Sequence, residues 1–294
     1  MNATASILPS TGDVAALERE LRAHHRRRPS GWHLVLIPVT AVMLFPFFWL
    51  LMTSFSTLAE TRTFPPQLPH SIQWHNYVDA WQTAPFARWL FNTTLVSLIV
   101  VVGNLVISTL AGYALARVRF FGNGALFLVI LATVMVPFQV IMIPVLLICR
   151  GLGLIDTLGA LVAPNLATAF GIFLMRQFFK TMPVEIEEAA RIDGAGRLGT
   201  LVKVVLPSMS APLATLAIIT LLNVWNDFLW PLIAIQSEPK MTLQLGLMTF
   251  QGAHLTNWPV LMAGTVTSQI PMLVAFVLAQ RWFVRSLASS GLKG

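Results

Sequence analysis

The segment EEAARIDGAGRLGTLVKVVLP, residues 187–207, sets a burst of charged groups able to hold another protein between segments apolar enough for a bilayer. Only 11% of the chain is Asp, Glu, Lys or Arg, yet Glu187, Glu188, Arg191, Asp193, Arg197 and Lys203 all fall here. Residues 177–207 read as a helix, a turn and a second helix. Pro183 suits a first helical position, and Glu185, Glu187 and Glu188 favour the N-terminal turn, where the helix dipole stabilises negative charge. Ala189 and Ala190 are small and give this helix a smooth surface that a partner can approach. Gly194 and Gly196 permit a bend that other residues resist. Leu198, Leu201, Val202 and Val205 then recur at i, i+3, i+4 and i+7, one apolar stripe with Arg197 and Lys203 off it. Pro207 closes the element. The chemistry expected of such a unit is docking rather than bond-making.

Bond-making sets are missing from the sequence. No Gly-Lys dipeptide occurs, so there is no G-x-x-x-x-G-K-[ST] phosphate loop. No H-E-x-x-H or G-x-S-x-G occurs, and the six histidines show no metal-ligand spacing, so no metal site is expected. Cys149 is the only cysteine, which excludes an internal disulfide. Asp227 is the only carboxylate placed to lie inside a span, so no relay of buried acids is expected.

The elements that must position the charged segment are set by hydropathy. Apolar residues make up 56% of the 294, and the mean hydropathy is +0.73. A soluble chain of this length needs far more polar surface, so the class is all-α integral membrane. Lipid offers backbone groups no partner, which requires helices. Six segments are long enough to span: 33–53, 89–115, 125–148, 158–179, 208–229 and 260–283. Prolines interrupt most of them, and Ser108/Gly112 and Ala167/Gly171 are small pairs that let helices approach closely. The net charge of +7 does not call for nucleic acid, because charge bias across a membrane gives the same total. Counting with the N-terminus inside, 15 of the 19 Lys and Arg residues fall on that side, and only Arg62, Arg88, Arg150 and Lys240 fall outside. Both termini, and the charged segment, are therefore expected in the cytoplasm. The expected organisation is a cytoplasmic tail at 1–32, a six-helix domain at 33–284 with the charged loop at 181–207, and a cytoplasmic tail at 285–294. The first tail is polar, with a short amphipathic helix expected near 14–21. Segments 54–88 and 230–259 face outward.

The spacing Glu188-Ala189-Ala190, three residues, Gly194, nine residues, Val204, one residue, Leu206-Pro207 resembles the E-A-A-x3-G-x9-I-x-L-P motif of permease subunits in binding-protein-dependent ABC importers. Valine for isoleucine is its one departure. PVEIEEAARIDGAG, FNTTLVS from Phe91, WNDFLWPL at 225–232 and the closing SSGLKG are similar to the carbohydrate-uptake, maltose-type branch, although Gly291-Leu292-Lys293-Gly294 departs slightly from its usual ending. The resemblance covers residues 33–294.

That resemblance implies a six-transmembrane-helix permease bundle in the cell membrane. It pairs with a second permease subunit, two ATP-binding subunits and an extracytoplasmic solute-binding protein. ATP and Mg sit on the ATPase, and this chain binds no cofactor. Residues 184–193 would form the coupling helix seated on the ATPase. Glu188 would be the acid meeting a basic ATPase residue, Gly194 the turn, and Ala189, Ala190, Asp193, Leu206 and Pro207 the rest of the coupling motif. Polar groups within or near the spans are Asn104, Gln139, Asn165, Asn223, Asn226 and Gln269. For the substrate path the favoured cluster is Asn223, Trp225, Asn226 and Asp227. An indole can stack on the C–H face of a sugar, and Asn and Asp accept its hydroxyls. The competing reading of Trp225 to Asp227 is an anchor at the outer interface. Glycerol phosphate or its diesters form the alternative substrate class, favoured by a cationic pocket. A membrane enzyme needs a polar catalytic set that the sequence lacks, and a channel or secondary carrier would work without an ATPase.

Overall fold

The computed structural model describes residues 32–65, 67–251 and 256–290, except for the side chains of 281–290. The amphipathic helix expected near 14–21 and the closing Gly291–Gly294 lie outside the described residues. By their contacts the residues form two units, Met1–Leu50 and Leu51–Gly294. Helix α1, His33–Ser54, supplies nearly everything described in the first unit. Its 22 residues reach roughly 33 Å, enough for a hydrocarbon core, with Pro38 and Pro46 inside it.

The second unit is helical throughout its described residues, with one isolated β-bridge, Gln251 to Thr256. Its helices are α2 (His75–Gln82), α3 (Phe86–Arg117), α4 (Asn123–Val134), α5 (Phe138–Gly151), α6 (Leu158–Val162) and α7 (Ala169–Thr181). They continue as α8 (Glu185–Ile192), α9 (Arg197–Ser208), α10 (Ser210–Trp225), α11 (Leu229–Ala234), α12 (Leu243–Leu247) and α13 (Trp258–Ser290).

Four segments are long and apolar enough to cross a membrane: His33–Ser54, Phe86–Arg117, Leu158–Thr181 and Trp258–Gln280. The count reaches six only if each of two bent pairs is one span. α4 and α5 meet at 102°, so the proline-interrupted span expected over 125–148 is two helices at a sharp break rather than one kinked helix. Pro137 causes the break, because it has no N–H to donate and forces its predecessor out of helical angles. α9 and α10 meet at 83°, and α10 ends at Trp225, four residues before the expected end. The span at Leu158–Thr181 is also interrupted. A 3-10 turn at Ala163–Asn165 precedes Thr168, whose Oγ1 accepts from Gly171 N at 3.1 Å and caps α7.

α3 is the spine. It makes the largest helix contact in the chain, with α7, and the next largest with α10. The small residues explain the approach to α7. A Cβ on Gly112 would stand 2.8 Å from both Arg176 N and Met175 Cβ, and one on Gly171 would meet Ser108 Oγ. Ala167, expected to share this role, is exposed in the break. α13 packs on α10 and α2.

α9 departs from its expected form. Leu201–Val205 is a π turn, with Leu206 N donating to Leu201 O. Pro207 gives the reason, since its ring crowds the carbonyl four residues back and widening the turn relieves it. The helix therefore runs through Pro207 and breaks at Met209 instead. The four-residue stripe divides. Leu201 and Val205 are buried beside Tyr113 and Phe179, while Leu198 and Val202 are exposed. A stripe read at α-helical period drifts out of line across a π turn.

Candidate functional site

α8 begins after Val184, so Pro183 precedes the cap instead of opening the helix. Its hydrophobic and acidic residues sort by face. Glu187 is 2% exposed, whereas Glu188 and Ala189 are open to solvent. Glu187 Oε1 accepts from Arg117 Nε at 2.6 Å, and Oε2 from Tyr113 Oη at 2.9 Å. Arg191 Nη2 stands 3.8 Å away, and Arg117 Nη2 donates to Met182 O at 2.7 Å. A buried carboxylate needs such partners, since desolvating it alone is costly. Sequence reasoning placed Glu187 only among the first-turn acids and missed its partners.

The opposite face carries Glu188, Ala189, Ile192 and Asp193. Ile192 is 87% exposed, the most exposed apolar residue of this segment, and sequence reasoning did not single it out. Ala190 was expected on the docking surface but is buried against the chain's own core. The helix stops in a Schellman motif: Ala195 N bonds Ala190 O and Gly194 N bonds Arg191 O, each at 3.0 Å. Gly194 has φ +82°, where only glycine sits without strain. Gly196 is extended, with φ −70° and ψ 164°, so the bend rests on Gly194 alone. Leu206 is half-buried and Pro207 exposed, both at the far end of α9.

Nine residues up α3 from Tyr113, roughly 13 Å along the helix, Asn104 enters a second feature. A cavity of about 340 Å³ lies between α3, the α6–α7 break and α10. Its polar lining is Asn104, Asn165, Thr168, Thr220 and Asn223, with no charged side chain among the lining residues. Asn104 Nδ2 donates to Thr168 Oγ1 and Thr220 Oγ1, both at 3.1 Å, and its Oδ1 accepts from Ser108 Oγ at 2.6 Å. Asn165 Nδ2 donates to Leu161 O. Asn223 makes no side-chain hydrogen bond among the described residues.

The cluster expected from Asn223 to Asp227 does not assemble around this cavity. Trp225 is 3% exposed, packs with Phe86 and Trp89, and donates Nε1 to Ser268 O at 3.2 Å. Its indole is packed in the core. Residues two apart on an α-helix point about 200° apart, so Asn223 and Trp225 cannot share a face. Asn226 Nδ2 returns to Leu222 O, and Asp227 Oδ1 faces Trp230 N at the break.

The other end of the bundle is held by side chains onto loop backbone. Trp89 Nε1 donates to Glu238 O, and Asn92 Nδ2 to Pro239 O and Met241 O. Asp156, at φ +57°, accepts from Gln236 N, Ser237 N, Ser237 Oγ and Lys240 Nζ. The Ser237 hydroxyl, then the Ser237 and Gln236 N–H groups and Lys240, hold its carboxyl well below the usual range. Glu60 is lowered to about 2 by the backbone N–H of His70 and then of Thr57.

Comparison with known proteins fits this arrangement. The family described as binding-protein-dependent transport system inner membrane component matches residues 104–289. The chain is 33% identical over 260 residues to the arabinooligosaccharides transport system permease protein AraQ of Halalkalibacterium halodurans, covering 87% of this chain and 93% of that protein. It is 33% identical over 271 residues to the sn-glycerol-3-phosphate transport system permease protein UgpE of Yersinia enterocolitica, covering 88% and 95%. Among solved structures, a chain of a bacterial ABC transporter involved in import of the acidic polysaccharide alginate superimposes with a TM-score of 0.76 at 27% identity, covering 95% of this chain and all of that one. A helical bundle with an exposed short helix at one end and a polar cavity midway thus has a known setting: the chain belongs to the binding-protein-dependent transport family and is a multi-pass inner-membrane permease subunit of an ABC importer, not itself an enzyme.

Proposed function

We propose that this permease moves a sugar or oligosaccharide, and that α8 is the coupling helix through which a separate ATPase drives it. The observation that carries the coupling reading is the sorting of adjacent acids on α8. Glu187 is spent inside the chain, while Glu188 stands beside exposed Ala189, Ile192 and Asp193. That outer face offers one apolar knob and two carboxylates to a groove lined by basic groups. Gly194 sets the turn after it, and Leu206 and Pro207 carry the motif on into α9.

The cavity supports the substrate class. Amides and hydroxyls, without a cation, suit the hydroxyls of a neutral carbohydrate. Asn223 is its one uncommitted amide and the best candidate for contact with solute. Asn226 and Asp227 remain candidates at the outer break, and Trp225 acts through packing. The likeness to UgpE favours a second reading, glycerol phosphate or its diesters; a cation from the second permease would then have to complete the site.

The assembly proposed is this chain, a second permease, two ATP-binding subunits carrying ATP and Mg, and an extracytoplasmic binding protein. Both termini and α8 lie in the cytoplasm, with residues 33–284 as the permease domain. The charge bias supports this, as does the separation of α8 at one end of α3 from the Trp89 and Asn92 contacts at the other. The test is ATP-dependent uptake by the reconstituted complex, across neutral oligosaccharides and polyol phosphates. Uptake restricted to polyol phosphates overturns the sugar reading, and uptake without any ATPase overturns the coupling reading.

A further inference from the structure

We infer that Arg117 and Tyr113 of α3, acting through Glu187, form the joint that passes movement of α8 into the bundle, which makes them positioning residues for coupled transport. The inference rests on the reading that α8 docks on the ATPase. A docking helix does work only if it is fastened to what must move. α8 is eight residues long and the backbone bonds that close its two ends are local, so its fastening to α3 comes from side chains. The cluster at Glu187 supplies it. One carboxylate takes two donors from α3, four residues apart on one helix face, at 2.6 and 2.9 Å. The same guanidinium donates to Met182 O, the carbonyl of the residue that caps α7 just before α8. Arg117 therefore fixes α8 and the α7–α8 corner together. Arg191, on α8 itself, faces the same carboxylate from the solvent side.

The helix so gripped is the one that matters for the path. Along α3, Arg117 lies 13 residues from Asn104 in the cavity, roughly 20 Å at helical rise. Twelve residues further, Asn92 holds the loop carbonyls of Pro239 and Met241. One rigid rod thus touches the docking helix, the cavity and the outer loop. Pulling Glu187 moves all three, as expected where a packed element has two discrete arrangements.

The experiment uses the whole complex in proteoliposomes, with an R117M/E187Q double variant that leaves no stranded charge, alongside R117K and Y113F. The readouts are solute transported per ATP hydrolysed, and the ratio of binding-protein-stimulated to basal hydrolysis. A role confined to stability lowers the amount of complex but moves neither ratio. The double variant is expected to co-purify with its ATPase and hydrolyse ATP, while transport per ATP falls roughly 5- to 150-fold, the span of a lost coupling. R117K is expected to recover part of it, since lysine restores the charge but not both contacts. Wild-type transport per ATP in the double variant overturns the joint. If that variant does not reach the membrane, Y113F reads the same quantity, and an unchanged ratio there overturns it as well. Glu188→Ala separates the two ideas. Lost ATPase docking in that variant with normal coupling in R117M/E187Q sinks the joint alone. Retained docking and transport in Glu188→Ala sinks the reading beneath it.

Discussion

Asp156 and Lys240 meet at 2.9 Å across 84 residues of sequence, closing a clasp between the α5–α6 turn and the loop after α11. The lysine is one part of that clasp. Two backbone N–H groups and a hydroxyl reach the same carboxylate, and Asp156 N donates back to Ala234 O. The loop so pinned is the one whose carbonyls receive Trp89 and Asn92.

The clasp has a defined pH response. Asp156 is depressed in the folded chain, so its contribution is present above the ordinary carboxylate value and lost only as pH falls through the lower folded one. Hydrogen exchange over 235–241, corrected for intrinsic rates, is expected to stay flat from neutrality down to about pH 4. Glu60, held at about 2, gives the same sign for the His70 turn. Asp156→Ala is expected to lose the protection at neutral pH, and Asp156→Asn to keep part of it through its carbonyl. Loss of protection between pH 6 and 5 in the natural chain, about where histidine titrates, would count against Asp156 as the anchor.

Gly194 tests whether its role is room or conformation. A Cβ there meets nothing within 4 Å, so no clash explains the glycine. Its φ of +82° does, and an ordinary residue pays about 1–2 kcal/mol in that region. Uptake is expected to rank Gly above Asn, then Ala, then Val, because asparagine tolerates the left-handed turn and a β-branched residue does not. Gly194→Asp is expected to leave the chain in the membrane with reduced uptake. Equal activity of the Val variant removes the turn from the mechanism.

Adjacent glutamates should behave as opposites. Glu188→Ala is expected to change the chain's own stability by no more than about 0.5 kcal/mol, as for an exposed site, while lowering ATPase co-purification. Glu187→Ala is expected to destabilise the chain, at or below the roughly 3–5 kcal/mol of breaking a buried pair, since Arg117 is 11% exposed and keeps some solvent. Thermal unfolding of the isolated chain in detergent separates the two.

This pair also marks the limit of sequence reading. The turn at Gly194 and the close approach at the small residues on α3 were legible. Which glutamate faces inward was not legible, because it depends on Arg117 and Tyr113, about seventy residues earlier. At Pro137 an interruption was legible, but not how sharp it is. Both halves of the bent pair are apolar, so hydropathy runs through the corner without a dip. The end of α10 was masked in the same way by the apolar residues of α11. Asp156 gave no signal, since its left-handed backbone and four donors come from tertiary structure.

Close packing gives a prediction at Gly112. A Cβ there collides with backbone and with the first carbon of Met175, neither of which can swing aside. Gly112→Ala is expected to cost about 1–3 kcal/mol, as overpacking does, by pushing α7 off α3. Since α7 leads directly into α8, uptake should fall with it. Unchanged unfolding temperature in this variant means that the helices part more easily than the spacing indicates.

The cavity separates residues that build it from residues free to act in it. Asn104 on α3 reaches the start of α7 through Thr168 and α10 through Thr220, and accepts from Ser108 on its own helix, so removing it leaves the Thr220 and Ser108 hydroxyls without another partner among the described residues, while Thr168 keeps Gly171 N. Interhelical hydrogen bonds in membranes are worth about 0.6 kcal/mol each and at most about 1.7, so Asn104→Ala should lower stability measurably and uptake as a consequence. Asn223 holds nothing, so Asn223→Ala should leave unfolding unchanged and alter the concentration dependence of uptake. Trp225→Phe keeps most of the packing but loses the bond to Ser268 O, and should resemble Asn104→Ala in kind: weaker folding, unchanged solute preference. If Trp225→Phe instead shifts which solute is taken up while Asn223→Ala does not, the solute path runs on the other side of α10.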